Sequence, residues 1–360
     1  MSSATLESSD LKILDRIQQS FPLVERPFAA IASSLEMNES DLLSRIRLLK
    51  EKPRGVIRQI SAIFDSRTLG YTSCLVAAKV DEDRIEQAAA QINLCPGVSH
   101  NYQRNHAYNL WYTVAVPPDS RLGLQGTVDV LHRLSGASVT RLMPSLKLFK
   151  IGVKFNLSGE DEVTARTDAK PAFDSESQKR ASQCFSVTDA DKRMIRVLQQ
   201  DLPIEPRPFD EWARQANVSV KQLLDGASRY EQIGCMRRFS AVLRHREAGF
   251  GANAMGAWIV PVEQQDYFGT TAASFSAVSH CYLRPTYEDW PYSIFTMVHG
   301  QSREQCERLL AEISKQTGIT TYAALYSSRE FKKVRVKYFT DEIESWEIQV
   351  QRFSQRQESL

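Results

Sequence analysis

Apolar residues recur at helical spacing near the N-terminus, where Leu11, Ile13, Leu14, Ile17 and Phe21 form one stripe. Pro22 ends that helix. Pro27 opens a second, with Phe28, Ile31, Ala32 and Leu35 facing inward. Asn38 or Ser40 caps a third through Leu42, Leu43, Ile46 and Leu49. From Gly55 the pattern becomes β-branched, and the stretch VIRQISAIF predicts a wing strand. Strands are then predicted at 71–80, 98–104, 108–116 and 139–142, with helices at 82–93 and 121–134. That order, β-α-β-β-α-β, is the order of a ferredoxin-like sandwich.

The whole pattern occurs twice. Leu14 to Phe28 matches Ile195 to Phe209 without a gap, at an offset of 181. Gly55 to Ala62 (GVIRQISA) matches Gly234 to Ala241 (GCMRRFSA) at an offset of 179, and His100 matches His280 at 180. The second half predicts helices around Met194 to Leu198, at 208–216 and 219–230, and a wing from Gly234. Strands at 257–262, 279–283, 292–298 and 320–325 follow, with helices at 264–276 and 302–317. A period this long exceeds the roughly 20–50 residues of a solenoid repeat and marks a duplicated domain pair. The expected class is α+β: a tandem repeat of a winged helix-turn-helix and a ferredoxin-like domain. Its expected parts are residues 1–67 and 68–158, a linker at 159–186, then 187–250, 251–345 and a tail at 346–360. The linker is rich in Asp, Glu, Lys, Ser and Ala and too poor in large apolar residues to build a core.

Composition narrows the function. The net charge of +2 over 360 residues gives no global field for nucleic acid or an anionic membrane. No apolar run approaches the roughly 20 residues of a membrane span. The beginning, MSSATLESSD, lacks the basic and apolar regions of a signal peptide. Cysteines at 74, 95, 184, 235, 281 and 306 form no Cys-x-x-Cys, so a reducing cytoplasm is expected rather than a disulfide scaffold or zinc site. Gly-rich phosphate loops, His-x-x-x-His and a convincing Ser-His-Asp set are absent from the sequence.

The chemistry concentrates in two rhyming stretches. HNYQRNHAYNLWYTV runs from His100 to Val114, and HCYLRPTYEDWPYSIFTMV from His280 to Val298. His100, Tyr102 and Arg104 share one face of a strand at period two, as do His280, Tyr282 and Arg284. His106 and Tyr108 continue the first set if the hairpin is tight. An unpaired buried arginine costs several kcal/mol, so such a face meets solvent, a neighbouring carboxylate or a ligand. Arg58, aligned with Arg237 and its neighbour Arg238, and His245 in LRHR add basic candidates from the wings. His132 and His299 lack a surrounding motif and read as structural, and Trp111 and Trp258 read as core.

The segment Arg45 to Tyr71 resembles the recognition helix and wing of the Lrp/AsnC transcription regulators. DNA binding is not expected, because Glu39 and Asp41 occupy the start of that helix and Asp225 and Glu231 lie nearby in the second half. The two motif stretches, with Arg237 to Trp258 (RRFSAVLRHREAGFGANAMGAW), are similar to the signatures of the two subunit types of siroheme decarboxylase, here in one chain. That resemblance implies removal of CO2 from the C12 and C18 acetates of siroheme, giving 12,18-didecarboxysiroheme in heme d1 or alternative heme biosynthesis. It implies a carboxy-lyase without a separate cofactor, the iron arriving with the substrate. Under it, His100 and His106 are the general-acid or orienting candidates, with contact to the siroheme iron as the alternative for either. Arg58, Arg104, Arg238 and Arg284 suit the carboxylates, and Tyr102, Tyr108, Tyr282 and Tyr292 suit the macrocycle. His245 and His280 complete the expected binding set. Thr286 stands where His106 would repeat, which places the chemistry in the first half. The expected partners are the tetrapyrrole, an intramolecular pseudo-dimer of the halves, a second copy of the chain or homologous decarboxylase subunits, and neither DNA nor membrane. A transcriptional regulator or heme-responsive DNA-binding sensor is the rival reading.

Overall fold

The computed structural model describes residues 7–51, 55–151, 186–243 and 252–358. The linker expected at 159–186 therefore lies almost wholly outside the described residues, as does His245. In the first half the elements are α1 (Ser8–Gln19), α2 (Pro27–Ser34), α3 (Glu39–Lys50), β1 (Ile57–Phe64), β2 (Thr72–Lys79), α4 (Ile85–Asn93), β3 (Val98–Arg104), β4 (Leu110–Val116), α5 (Gly123–Ser135), β5 (Val139–Met143) and β6 (Lys147–Ile151). In the second they are α6 (Asp189–Leu198), α7 (Asp210–Ala216), α8 (Val220–Gln232), β7 (Met236–Leu243), β8 (Ala252–Trp258), α9 (Gln265–Ser274), β9 (Val278–Leu283), β10 (Ile294–Gly300), α10 (Arg303–Thr317), β11 (Tyr322–Lys333) and α11 (Glu342–Glu358).

The chain gathers into two compact units that cut across the sequence halves. One comprises residues 1–71, 180–245 and 337–340, the other 72–179, 246–336 and 341–360. In the first unit, Ile13, Leu14 and Ile17 bury the inner stripe of α1, while Leu11 is exposed. Ser219 caps α8 by accepting from the Gln222 amide, and Gln222 returns a bond to the Ser219 amide. The stretch read as a wing in each half is a single strand. β1 and β7 pair with each other, antiparallel, with Ile60 opposite Ala241.

The second unit holds one mixed-origin sheet in the order β5-β2-β4-β3-β11-β8-β10-β9-β6. Each half supplies the four strands of a ferredoxin-like domain, and the halves exchange edges. β11 pairs with β8 through Tyr322–Tyr326 and then, from Ser327 to Lys333, with β3. Reciprocally, β6 pairs with the outer edge of β9. Exchange pairs backbone groups that two exposed edge strands would otherwise present to water. One apolar core lies against helices of the first half and includes Val76, Ile92, Leu110 and Leu131. A second, with Trp258, Phe268, Val298 and Leu310, serves the other half. A third cluster draws on both halves and includes Tyr108, Trp111, Met143, Met255, Trp290, Phe295 and Leu325.

Several boundaries differ from the sequence expectation. β8 covers 252–258 rather than 257–262. Its sequence, ANAMGAW, is made mostly of small residues, and Gly256 explains one of them. A Cβ there would stand 2.7 Å from both the Leu310 and Thr296 side chains and 2.8 Å from that of Trp258. β11 runs well past the expected 320–325, and β6 was not expected. The presumed tail is the helix α11. Its Trp346 and Val350 are buried in the first core, and its buried Glu347 accepts from Ser120 Oγ at 2.5 Å and the Arg121 amide at 3.1 Å.

Candidate active site

A β-bulge shapes each half of the site. On β3, Val98 faces Val114 but His100 faces Thr113, so Ser99 has no opposite residue. On β9, Val278 faces Val298 and His280 faces Met297, which leaves Ser279 unmatched in the same way. Bulges re-aim side chains beside active sites. From each bulge, alternation carries His100, Tyr102 and Arg104 on one strand, and His280, Tyr282 and Arg284 on the other, to the wall of a single cavity of about 600 Å³. Leu75, Trp111, Met255, Phe295 and Met297 supply apolar lining, and β11 contributes Ser327, Arg329, Glu330 and Lys333. A pocket of this size, mostly apolar with convergent polar groups, is the usual form of a small-molecule site.

The two arginines are held alike. Arg104 is only 7% exposed; its Nη1 donates to the Leu325 carbonyl at 3.0 Å, while its Nε has no hydrogen-bond partner. No carboxylate pairs with Arg104 among the described residues, and its guanidinium stands 5.9 Å from the Tyr102 ring. Burial pulls its pKa down to about 10. Arg284 donates to the Met143 carbonyl and lies 4.8 Å over Tyr282 and 5.4 Å over Phe295. Leu325 and Met143 sit on the fourth ferredoxin strand of opposite halves, so each arginine is anchored by the partner half.

The histidines lie against their tyrosines, His280 stacked on Tyr282 at 5.9 Å and His100 tilted against Tyr102 at 6.1 Å. Ser99 Oγ lies 3.0 Å from His100 Nδ1, and Ser279 Oγ 2.8 Å from His280 Nδ1. Burial, then neighbouring His299 and Arg284, push the His280 pKa down to about 4, so its ring is neutral at neutral pH. Burial and nearby Glu330 push the Tyr102 phenol up to about 12.

Other expected residues lie elsewhere. His106 is not on the cavity wall. The turn between β3 and β4 breaks the parity of the strand and packs His106 against Trp290 at 5.1 Å and Tyr292 at 6.4 Å, where its Nδ1 accepts from the Tyr108 amide at 3.0 Å. Tyr108 is buried, and its hydroxyl donates to Asp289 at 2.6 Å. Arg141 and Lys79 also reach Asp289, at 3.1 and 3.3 Å, and Tyr287 donates to the Leu142 carbonyl at 2.5 Å. Tyr108 and Arg141 hold the Asp289 carboxyl well below the usual carboxylate range. Tyr292 packs on Trp290 at 4.8 Å. The aromatic tail of the second motif therefore fastens one ferredoxin-like domain to the other. Arg58 and Arg238 occupy exposed positions of β1 and β7 in the first unit. Conversely, Ser279 and His299 line the cavity although the sequence drew no attention to Ser279 and placed His299 among structural residues. His299 becomes visible only through strand register. No group of three or more His, Cys, Asp or Glu side chains is placed to hold a metal ion among the described residues.

Fold and site together define a fused pair of Lrp/AsnC-like halves whose ferredoxin-like domains enclose one cationic, histidine-bearing cavity. An AsnC-like ligand binding domain profile matches residues 68–150 and 247–332, and a siroheme decarboxylase NirDL-like HTH domain profile matches 10–58 and 191–237. Siroheme decarboxylase of Hydrogenobacter thermophilus is 40% identical over 93% of this chain and 96% of its own length. A siroheme decarboxylase beta subunit of Methanosarcina barkeri is 42% identical over 147 residues, which are 41% of this chain and 97% of that subunit. The crystal structure of the siroheme decarboxylase NirDL in co-complex with an iron-uroporphyrin III analogue superposes with a TM-score of 0.75 at 35% identity, over 95% of this chain and 98% of that one. The chain belongs to the siroheme decarboxylase family.

Proposed function

We propose that this protein decarboxylates siroheme, removing the carboxyl groups of the C12 and C18 acetates to give 12,18-didecarboxysiroheme. The observation that carries this reading is the convergence of both His-x-Tyr-x-Arg strands on one cavity, with the Arg104 guanidinium buried and free of any carboxylate among the described residues. A guanidinium kept dry and without a counter-charge binds an acidic ligand more strongly than a hydrated one. Arg104 and Arg284 hold carboxylates of the macrocycle, Tyr102 and Tyr282 pack against it, and Lys333 and Arg329 add positive charge along β11. His100 and His280 stand beside the reacting acetates, where a neutral imidazole delivers the proton that replaces CO2. The iron belongs to the substrate, and no separate cofactor enters the reaction. His106 and Tyr108 act indirectly, by fixing the turn that backs the cavity. Arg58 and Arg238 are secondary carboxylate candidates. The test is anaerobic incubation with iron(II) siroheme and mass analysis of the tetrapyrrole. Loss of two CO2 is the expected result, and binding without mass loss refutes the reading.

A further inference from the structure

Strand register gives the two cavity histidines different cross-strand neighbours. His100 faces Thr113, and the next residue on that face of β4 is the buried, apolar Ala115. His280 faces Met297, and the next residue on that face of β10 is His299. Ser279 Oγ bridges the pair, 2.8 Å from His280 Nδ1 and 2.6 Å from His299 Nε2. All three line the cavity.

A serine hydroxyl has one proton; the Met297 carbonyl stands farther from Ser279 Oγ, at 3.4 Å, than either ring nitrogen, and with the proton held between the rings Ser279 donates to one and accepts from the other. The tautomers of His280 and His299 are therefore coupled. When Ser279 donates to His280 Nδ1, His280 carries its own proton on Nε2, and His299 carries one on the Nε2 that faces Ser279. We propose that His299 is a positioning residue that works through Ser279 as a proton relay to His280 in the decarboxylation assigned above. The inference rests on that functional reading. As the bond between the acetate methylene and its carboxyl carbon breaks, CO2 departs and the electron pair stays on the methylene carbon, spread into the macrocycle. That carbon takes the proton from His280 Nε2. Nδ1 of His280 takes the Ser279 proton, Ser279 takes the His299 Nε2 proton, and His299 regains one from water at Nδ1. Both rings end neutral, and the net uptake is one proton.

The surroundings favour a neutral relay over an imidazolium. Arg284 on β9 is cationic beside His280, and Lys333 and Arg329 on β11 line the same cavity with Glu330 as the acidic group. Asn253 on β8, opposite His299, carries no charge. Burial, then His299 and Arg284, disfavour a positive charge on His280.

His299→Gln tests this, because glutamine keeps an amide donor for Ser279 but passes no proton. Anaerobic turnover of siroheme by wild type, H299Q, S279A and S279T is compared with siroheme affinity. H299Q and S279A should each lower kcat by about 100-fold, with Kd within about threefold of wild type. S279T should recover most of the rate, and the double variant should be no worse than either single one, as for groups acting as a unit. In mixtures of light and heavy water, the rate should follow a curved proton inventory in wild type and a linear one in H299Q. An H299Q rate within about twofold of wild type, or single losses that multiply in the double variant, overturns the relay while leaving the decarboxylase reading intact. Wild-type protein that binds siroheme and releases no CO2 overturns the reading, and the relay with it.

Discussion

Replacing Arg104 by methionine separates binding from folding. At neutral pH the buried guanidinium is charged, and its pKa is pulled from 12.5 to about 10. A folded pKa below the unfolded one means that folding weakens proton binding. Below both values the full cost is present, and it is relieved only as pH rises through 10. At about 1.4 kcal/mol per pKa unit, carrying this charge costs the empty protein on the order of 3 kcal/mol. Methionine removes that cost and fills similar volume. It also forfeits the bond to the Leu325 carbonyl, worth about 1.5–3 kcal/mol for a charged donor, and the contact with Tyr102, worth about 0.5–1 kcal/mol. These terms nearly cancel, so R104M should unfold in urea within about 1 kcal/mol of wild type. Siroheme binding should suffer instead. Loss of one charge-assisted bond to a carboxylate, about 1.5–3 kcal/mol, raises Kd by about 10- to 150-fold. Urea unfolding followed by tryptophan fluorescence, and siroheme titration followed by absorbance, give the two numbers. An R104M protein destabilised by more than about 3 kcal/mol, with siroheme affinity unchanged, would show that Arg104 is a structural residue and refute the reasoning.

The remaining predictions concern the walls of the same unit. Below about pH 6.5 the unfolded state protonates His280 more readily than the folded state, whose value is about 4, so empty-protein stability should fall between pH 6.5 and 4 and stay level above; H280Q should flatten that slope in urea titrations across the range. Tyr108→Phe removes one of three donors from Asp289 and should cost about 1–2 kcal/mol in urea, with siroheme affinity changed less than about threefold; a large change in affinity would place Tyr108 at the substrate. Gly256→Ala drives a methyl into Leu310, Thr296 and Trp258 and should lower stability by about 1–3 kcal/mol, read as a drop in melting temperature.

Much of the fold was legible because periodicity and capping act locally. The Val98–Arg104 strand matches its expected limits, and Pro27 and Ser219 mark helix starts where expected. β8 was misplaced because its small residues serve close packing against Leu310 and Trp258 rather than the usual β-branched pattern. The second part of β11, SREFKK, lacks apolar alternation because it is a strand by virtue of pairing with β3, a partner more than 200 positions away. α11 looked like a tail because its buried Trp346 and Val350 contact residues of the other half. Each miss depends on a distant partner, which local pattern does not record.

The same limit governed the site. Period two placed His, Tyr and Arg on one face of each strand, and both faces do line a cavity. That they line one shared cavity follows from the edge exchange of β6 and β11, which no local signal announces. Sharing changes the meaning of the unequal halves. The sequence assigned the chemistry to the first motif because it has His106 where the second has Thr286. The turn removes His106 from the wall, and register brings His299 to it from the second half. The asymmetry lies in what register sets behind each cavity histidine: Ser99 behind His100, and Ser279 joined to His299 behind His280. On the proposed reading both acetates of one macrocycle are handled in this single chamber, and the Ser279–His299 contact is the difference between its two sides that H299Q and S279A put to the test.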